Sequence, residues 1–308
     1  MATRTADKAQ SRAGLTHRLA ERGIDRGLWL LVPGVLFALI FFVYPFLYGI
    51  GLTFQPSTRT AETWGSGVFA NYVAFFQDPF VFDSVWITLK LAIPVALFNV
   101  LVSVPIAFKL RGRFRGKRTL MTLLVLPITL GTVLTAQGML IFLGRQGWLN
   151  KLLIDLGLIQ EPIQFVMNYW GVALSLVISG FPFAFLLISS YLSGIDPSLE
   201  AAARTMGAGW GKRFTRITLP LLAPGLATTF ILTFVLAFSV FPSARLVGDA
   251  MGSTRVMSLM AFRAFGEQND YSMASTIALM MGVAEFLVVM VVLALRGMLY
   301  RGSTGGKG

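Results

Sequence analysis

The sequence predicts an all-α integral membrane protein with six membrane-spanning helices. Of its 308 residues, 55% are hydrophobic and only 13% are charged, which is beyond the usual apolar share of a soluble domain. Six segments are also apolar over the roughly 20 residues that a helix needs to cross a hydrocarbon layer. Cysteine is absent, so disulfides, thiolate metal sites and cysteine nucleophiles are excluded.

The six apolar segments set the order of the elements. The first, 28–54, is too long for a signal-peptide core, so we interpret it as a retained span behind a basic tail, 1–27. The other five are 85–108, 120–143, 169–192, 219–241 and 272–295. Neighbouring helices in a membrane satisfy backbone groups freed by proline, so the spans tolerate Pro94, Pro105, Pro127 and Pro182. An amphipathic stretch at 147–159 predicts a short interfacial helix between the third and fourth spans.

Lysine and arginine are concentrated in alternate connections. They crowd the N-terminal tail, the second connection "KLRGRFRGKR", the fourth connection at 193–220 and the C-terminal tail, 297–308. By the positive-inside rule, both termini and the 193–220 connection are cytoplasmic, around one membrane domain at 28–296. Topology thus accounts for the net charge of +12, and we expect no nucleic-acid partner.

The fourth connection contains a short helix with clear end signals. Asp196 is a favourable N-cap, Pro197 suits the first helical position, and Gly207 is placed to end the helix in a left-handed conformation. These signals predict a helix of about ten residues. Gly209 and Gly211 then permit a sharp reversal before the fifth span.

Two faces of this helix can be assigned from spacing. Glu200 and Arg204 are spaced to form an i,i+4 pair, and small or apolar residues follow helical spacing at Leu199, Ala202, Ala203 and Met206. A helix lying on lipid would carry bulky apolar residues flanked by lysines. The alanine-rich stripe favours docking against another protein over that alternative.

The same stretch resembles the cytoplasmic "EAA" loop of the permease subunits of binding-protein-dependent ABC importers. The family's pattern is Glu-Ala-Ala, three residues, Gly, nine residues, Ile, one residue and Leu-Pro, which is in register with Gly207, Ile217, Leu219 and Pro220. One position departs: the family's Glu falls on Ala201, and Glu200 lies one residue early, about 100° around the helix. The resemblance extends over 28–295 and is closest to polyamine, iron and thiamine permeases.

This resemblance implies a six-helix type I ABC importer permease (MetI-like) arrangement in a bacterial inner membrane. The short helix would be the coupling helix, seated on a dimer of ATP-binding subunits through Glu200, Ala201, Ala202, Ala203, Arg204, Met206 and Gly207. Further implied partners are membrane lipid, an identical or homologous second permease, and a periplasmic or lipid-anchored solute-binding protein. The implied solute is a polyamine or similar small charged molecule, with a carbohydrate as the alternative.

ATP hydrolysis is expected on a separate polypeptide. The stretch "MGAGWGKR" has Met206 where a phosphate-binding loop needs its first glycine, and Arg213 where it needs Ser or Thr. We therefore expect no catalytic residues, cofactor or metal in this chain, with ATP and magnesium on the partner subunit. The single histidine, His17, lies in the polar tail.

Polar residues within the spans are candidates for the solute pathway, because ionisable groups at membrane depth are costly. The candidates are Glu285, Lys90 and Gln137. Glu285 is either a cavity acid that helps a cation pass or, as we favour, a buried acid paired within the bundle.

No internal repeat is evident, so we expect the pathway at a dimer interface. The aromatic column of Phe230, Phe234, Phe238 and Phe241 indicates packing rather than a gate.

Two other classes of protein are weaker alternatives. A secondary transporter driven by an ion gradient would show broken midplane helices in two matching halves, and it leaves the loop unexplained. A membrane-embedded enzyme would need clustered histidines, cysteines or carboxylates near a membrane surface, which the sequence lacks.

Overall fold

The computed structural model describes residues 26–112 and 115–299, and all regular structure in these ranges is helical. In chain order the helices are α1 (Arg26–Ala38, continued by a π-helical turn at Leu39–Val43 and by Tyr44–Thr53), α2 (Thr58–Trp64), α3 (Ala70–Gln77), α4 (Pro79–Leu110), α5 (Lys117–Leu143), α6 (Trp148–Asp155), α7 (Tyr169–Ser193), α8 (Pro197–Thr205), α9 (Trp210–Arg213, then a π-helical turn at Phe214–Thr218 and Leu219–Phe238), α10 (Pro242–Val247), α11 (Met257–Phe262, continued by a π-helical turn at Arg263–Glu267) and α12 (Tyr271–Leu299).

Six of these helices, α1, α4, α5, α7, α9 and α12, are long and apolar enough to cross a membrane, which confirms the six predicted spans. The predicted interfacial helix is α6, and the internal prolines lie inside α4, α5 and α7 as expected. The fifth span was predicted to begin at about 219. It begins at Trp210, because the helix runs on through a π-helical turn without a break.

The core is built by three spans. α4 packs against α7 and α9, while α5 lies on α7 and α12 lies on α9. Phe234 and Phe238 are fully buried in this core, and each phenyl ring contacts the next along the Phe230, Phe234 and Phe238 column. The prediction that the column serves packing is confirmed. α1 lies outside this core and packs on α12, leaving most of its large apolar side chains exposed.

The third span is interrupted near its middle. Gly131 has φ +67° and ψ +168°, so α5 consists of two helical pieces that meet at a kink. Only glycine adopts this conformation without strain, which is why the break falls there. The sequence predicts this segment as a single span.

We call one end of the bundle the loop end. At this end α4 ends, α5 begins, and α8 connects α7 to α9. The predicted N-terminal tail with His17 and the C-terminal tail lie outside the described residues, apart from helical positions 26–27 and 297–299. Positions 113 and 114 of the basic second connection also lie outside them.

Candidate functional site: the loop helix and the polar residues of the spans

The loop helix α8 has the ends that the sequence predicts. The Asp196 carboxylate accepts a hydrogen bond from the Ser198 backbone N–H at 2.8 Å. That bond is the main reason why the pKa of Asp196 lies below its ordinary value, with smaller contributions from the Ser198 side chain and the positive charge of Arg111. Pro197 occupies the first helical position.

The C-terminal end of α8 is capped at Gly207, whose φ is +80°. The Gly207 N–H donates to the Arg204 carbonyl oxygen, and the Ala208 N–H donates to the Ala203 carbonyl oxygen, both at 3.0 Å. This pair of bonds is the Schellman arrangement, which satisfies carbonyl groups that the helix leaves open. The predicted glycine cap is confirmed.

The residues of the predicted apolar stripe of α8 do not all face the same way: some are buried against the chain's own spans and others are exposed. Ala203 is only 5% exposed, because it faces the chain's own spans. Leu199 and Met206 are 46% and 81% exposed. Ala201, Ala202 and Arg204 are also exposed, so a partner could reach these residues but not Ala203.

Glu200 also faces the spans. Its Oε1 lies 2.9 Å from Arg111 Nη1 and accepts a hydrogen bond from the Thr218 hydroxyl at 3.1 Å. Arg111 Nη2 donates in addition to the backbone carbonyl of Ile195. The predicted pairing of Glu200 with Arg204 is therefore wrong. Arg111, at the end of α4, meets the inner face of α8, whereas Arg204 is exposed.

The reversal after α8 is shorter than predicted. Gly209 is the N-cap of α9, and the helix resumes at Trp210, so Gly211 lies within a helical turn rather than in the reversal. The Trp210 and Phe214 rings stack with centroids 5.7 Å apart. Phe108 of α4 meets Phe214 edge-on at 5.4 Å and Trp210 at 6.1 Å. This cluster was not predicted, although the i,i+4 spacing of Trp210 and Phe214 signals it.

The three predicted pathway residues lie on three different spans. Glu285 of α12 is half-buried, and within the described part of the chain its Oε1 has no hydrogen-bond partner, so the expected pairing inside the bundle is not found. Lys90 of α4 and Gln137 of α5 are exposed. The backbone carbonyl of Lys90 accepts a hydrogen bond from the Tyr169 hydroxyl at 2.8 Å, which joins α4 to the start of α7.

Comparison with known proteins matches residues 99–304 to the family described as "Binding-protein-dependent transport system inner membrane component". The chain belongs to this family. The permease is similar over 225 residues, at 31% identity, to the spermidine/putrescine transport system permease protein PotB of Haemophilus influenzae, covering 72% of this chain and 75% of PotB. It is similar over 217 residues, at 29% identity, to the probable sulfate transport system permease protein cysT of Prototheca wickerhamii, covering 70% and 83%.

A solved structure supports the same fold. The permease superposes with a TM-score of 0.77 and 20% identity on a chain of a bacterial alginate ABC transporter in complex with an alginate pentasaccharide-bound periplasmic protein, covering 94% of this chain and 99% of that one. The permease is accordingly a multi-pass inner membrane protein with the six-span importer permease fold.

A cavity of about 490 Å³ lies at the end of the permease opposite the loop end. Helices α2, α3 and α11 surround it together with the starts of α4 and α12, and its charged lining residues are Arg59, Asp78, Arg263 and Asp270. None of the predicted site residues lines it. Sequence reasoning missed this cavity, because its walls come from connections that are separated widely along the chain.

Proposed function

We propose that the permease carries a solute inward when ATP is hydrolysed on a separate ATP-binding subunit, and that α8 is the contact between the two. The observation that carries the proposal is the division of α8 into two faces. One face is held by the chain itself through Glu200 and Ala203, and the other exposes Leu199 and Met206. A short capped helix with exposed apolar anchors suits the groove of a partner, which is the helix-in-groove mode of recognition.

This geometry revises the set of residues proposed to dock. Ala201, Ala202, Arg204, Met206 and Gly207 remain in the set, because they are exposed. Leu199 joins them as a second apolar anchor beside Met206. Ala203 and Glu200 are assigned instead to the support of α8.

The loop end is assigned to the cytoplasm, where ATP is available. The support is the positive-inside rule, since the basic residues at this end far outnumber the acidic ones. Among the described residues the basic ones are Lys109, Arg111, Arg115, Lys117, Arg118, Arg204, Lys212, Arg213, Arg216 and Arg296, and the acidic ones are Asp196 and Glu200. The opposite end, with its charged cavity, would then face the solute-binding protein.

A second permease subunit is proposed to complete the pathway. α1 and α12 expose large apolar side chains along most of their lengths, including Phe37, Phe41, Phe42, Phe286, Leu287 and Val291. Lipid and a second six-span subunit together would cover these faces. The ATP and magnesium sites belong to the ATP-binding subunits in this proposal.

The proposed solute is a polyamine or a similar small cation. Its support is the similarity to a permease named for spermidine and putrescine, together with the acidic Glu285 in the last span. A carboxylate at membrane depth favours a cation over an anion, and within the described chain the Glu285 Oε1 has no hydrogen-bond partner of its own.

The test is transport by the assembled complex in proteoliposomes. The permease is co-expressed with the second permease, ATP-binding and solute-binding genes adjacent to its own, and uptake of spermidine and putrescine is compared with uptake of sulfate. We expect ATP-dependent polyamine uptake. Uptake that follows an ion gradient without ATP would contradict the importer proposal, and ATP-dependent uptake of sulfate alone would contradict only the solute.

The docking face is tested by truncating its two anchors. Leu199→Ala combined with Met206→Ala should lower the amount of ATP-binding subunit that co-purifies by about tenfold or more, because buried apolar anchors dominate such interfaces. The control is Leu158→Ala, which removes a leucine side chain that is 67% exposed, against 46% for Leu199, and lies far from the loop end. Equal losses from both variants would contradict the assignment of α8 as the contact.

A further inference from the structure

The cluster around Glu200 joins three separate parts of the chain at the loop end. Glu200 belongs to α8, Arg111 caps the end of α4, and Thr218 lies in the π-helical turn of α9. One carboxylate oxygen accepts from both Arg111 and Thr218, while the same guanidinium also holds the Ile195 carbonyl. The Glu200 carboxylate therefore ties the loop helix to two of the three spans that form the core, to α4 by the ion pair with Arg111 and to α9 by the Thr218 hydrogen bond.

This ion pair is shielded from solvent. The Arg111 and Glu200 side chains are 22% and 19% exposed, and Thr218 is fully buried. Salt screens a partly buried pair less than a surface pair, and removal of either partner leaves the other charge without compensation. The pair differs in this respect from the exposed basic residues around it, such as Arg118.

The chain connections on both sides of α8 are short and contain glycine. Gly194 lies between α7 and α8, and Gly207 and Gly209 lie between α8 and α9. Glycine allows a wide range of backbone conformations, so these joints alone would absorb a push on α8. The Arg111–Glu200 pair provides a path for force that bypasses them.

We infer that Glu200 and Arg111 are positioning residues that make α8 move as one body with α4 and α9. The inference rests on the proposed function, because it concerns how force on α8 reaches the spans. Position 201, on which the family motif's Glu falls, is an exposed alanine, whereas the acid one residue earlier is turned inward. The acid of the loop thus supports the helix from within its own subunit.

The inference predicts a distinct behaviour of Arg111→Gln and Glu200→Gln in the assembled complex. Each should retain the ATP-binding subunit, since neither residue lies on the exposed face of α8. In each variant the solute taken up per ATP hydrolysed should fall by about fivefold. A fivefold change corresponds to about 1 kcal/mol, which lies within the range of interaction energies between contacting residues. The double variant Arg111→Gln with Glu200→Gln should be no worse than either single variant, because all three break the same contact.

The control is Arg118→Gln, which removes an exposed positive charge at the same end of the bundle and should leave uptake per ATP unchanged. Arg111→Lys guards against a variant that fails to fold. Lysine keeps the positive charge, but it lacks the planar guanidinium group that binds Glu200 and the Ile195 carbonyl at the same time. Uptake per ATP in Arg111→Lys should therefore lie between that of the wild type and that of Arg111→Gln.

Three results would overturn the inference. These are losses that multiply in the double variant, loss of the ATP-binding subunit in Glu200→Gln but not in Arg111→Gln, and single variants that transport like the wild type. Failure of the proposed function is separate, because then the wild-type permease itself would retain no ATP-binding subunit.

Discussion

Replacing Gly207 with alanine should open the end of α8 without disturbing anything around it. A Cβ at this position would meet no atom within 4 Å beyond its immediate chain neighbours, so the substitution causes no clash with the surrounding structure. The remaining cost is conformational, because φ at Gly207 is +80°. For an L-residue the left-handed conformation costs about 1–2 kcal/mol.

That cost translates directly into the population of the closed helix end. Since about 1.4 kcal/mol corresponds to a tenfold change in an equilibrium constant, the ratio of closed to frayed ends should fall about 5- to 30-fold. Gly207→Asn should lose less, because asparagine tolerates this conformation better. Gly207→Pro should reduce the closed population most, because proline fixes φ near −65° and removes the N–H that donates to the Arg204 carbonyl oxygen at 3.0 Å.

The assay is amide hydrogen exchange of the peptide 197–210 in the assembled complex, read beside uptake per ATP. Protection of the Ala208 amide should decrease in the order wild type, Asn, Ala, Pro, and protection of the amide at position 207 should decrease in the order wild type, Asn, Ala, since the proline variant has no N–H there. Gly211→Ala is the matched control: it also has open space around it but lies within a helical turn, where alanine is favoured.

Wild-type exchange in Gly207→Ala would refute this reasoning, and so would equal loss of protection in Gly211→Ala. If exchange increases as expected while uptake per ATP does not change, the cap is real but the end of α8 does not limit coupling.

Three further predictions concern packing, a buried hydrogen bond and pH. Gly225→Ala should destabilise the permease by about 1–3 kcal/mol, because its Cβ would lie 2.5 Å from Tyr191 Cγ at the contact of α9 with α7. Thr88→Val should cost about 1–3 kcal/mol, because it leaves the buried Met257 N–H without its acceptor at 2.9 Å. Thermal unfolding in detergent measures both. The N-cap bond of Asp196 lowers the carboxyl pKa in the folded state, so its contribution to α8 should be complete above the ordinary value of about 3.9 and disappear as pH falls through the lower folded pKa. Hydrogen exchange of α8 against pH measures this loss.

Each of these predictions has a control in the same chain. Gly282→Ala adds a Cβ in open space and should not destabilise the protein, whereas equal effects at 225 and 282 would contradict the packing argument. Thr122→Val removes a bond that an exposed hydroxyl makes only within its own helix, so it should have the smaller effect. Asp196→Asn keeps an N-cap oxygen but does not titrate, and a pH profile that persists in this variant would exclude Asp196 as its source.

The fold was largely predictable because the membrane restricts the possibilities. Spans must be long and apolar, and hydropathy alone located all six. The ends of α8 were also predictable, since capping at Asp196 and Gly207 depends on residues adjacent in the chain. The candidate docking residues were proposed by the same local reasoning, but two of them, Glu200 and Ala203, face the chain's own spans.

Side-chain partners from distant segments were not predictable. Local spacing favoured Arg204 as the partner of Glu200, but Arg111 lies 89 residues away and reaches the inner face of α8 only after α4 and α9 have packed. The break at Gly131 was likewise missed, because glycine permits a helix to continue as well as to kink.

The sequence by itself thus determined the membrane class, the six spans and the capped loop helix, because each depends on composition or on neighbours within a few residues. Only the tertiary structure decided which face of that helix is free. Ala203 and Glu200 share the helix with Leu199 and Met206, but packing against α4 and α9 takes the first two inside. Helical periodicity defines the faces of a helix, and which of them is buried depends on contacts that form only when distant segments meet.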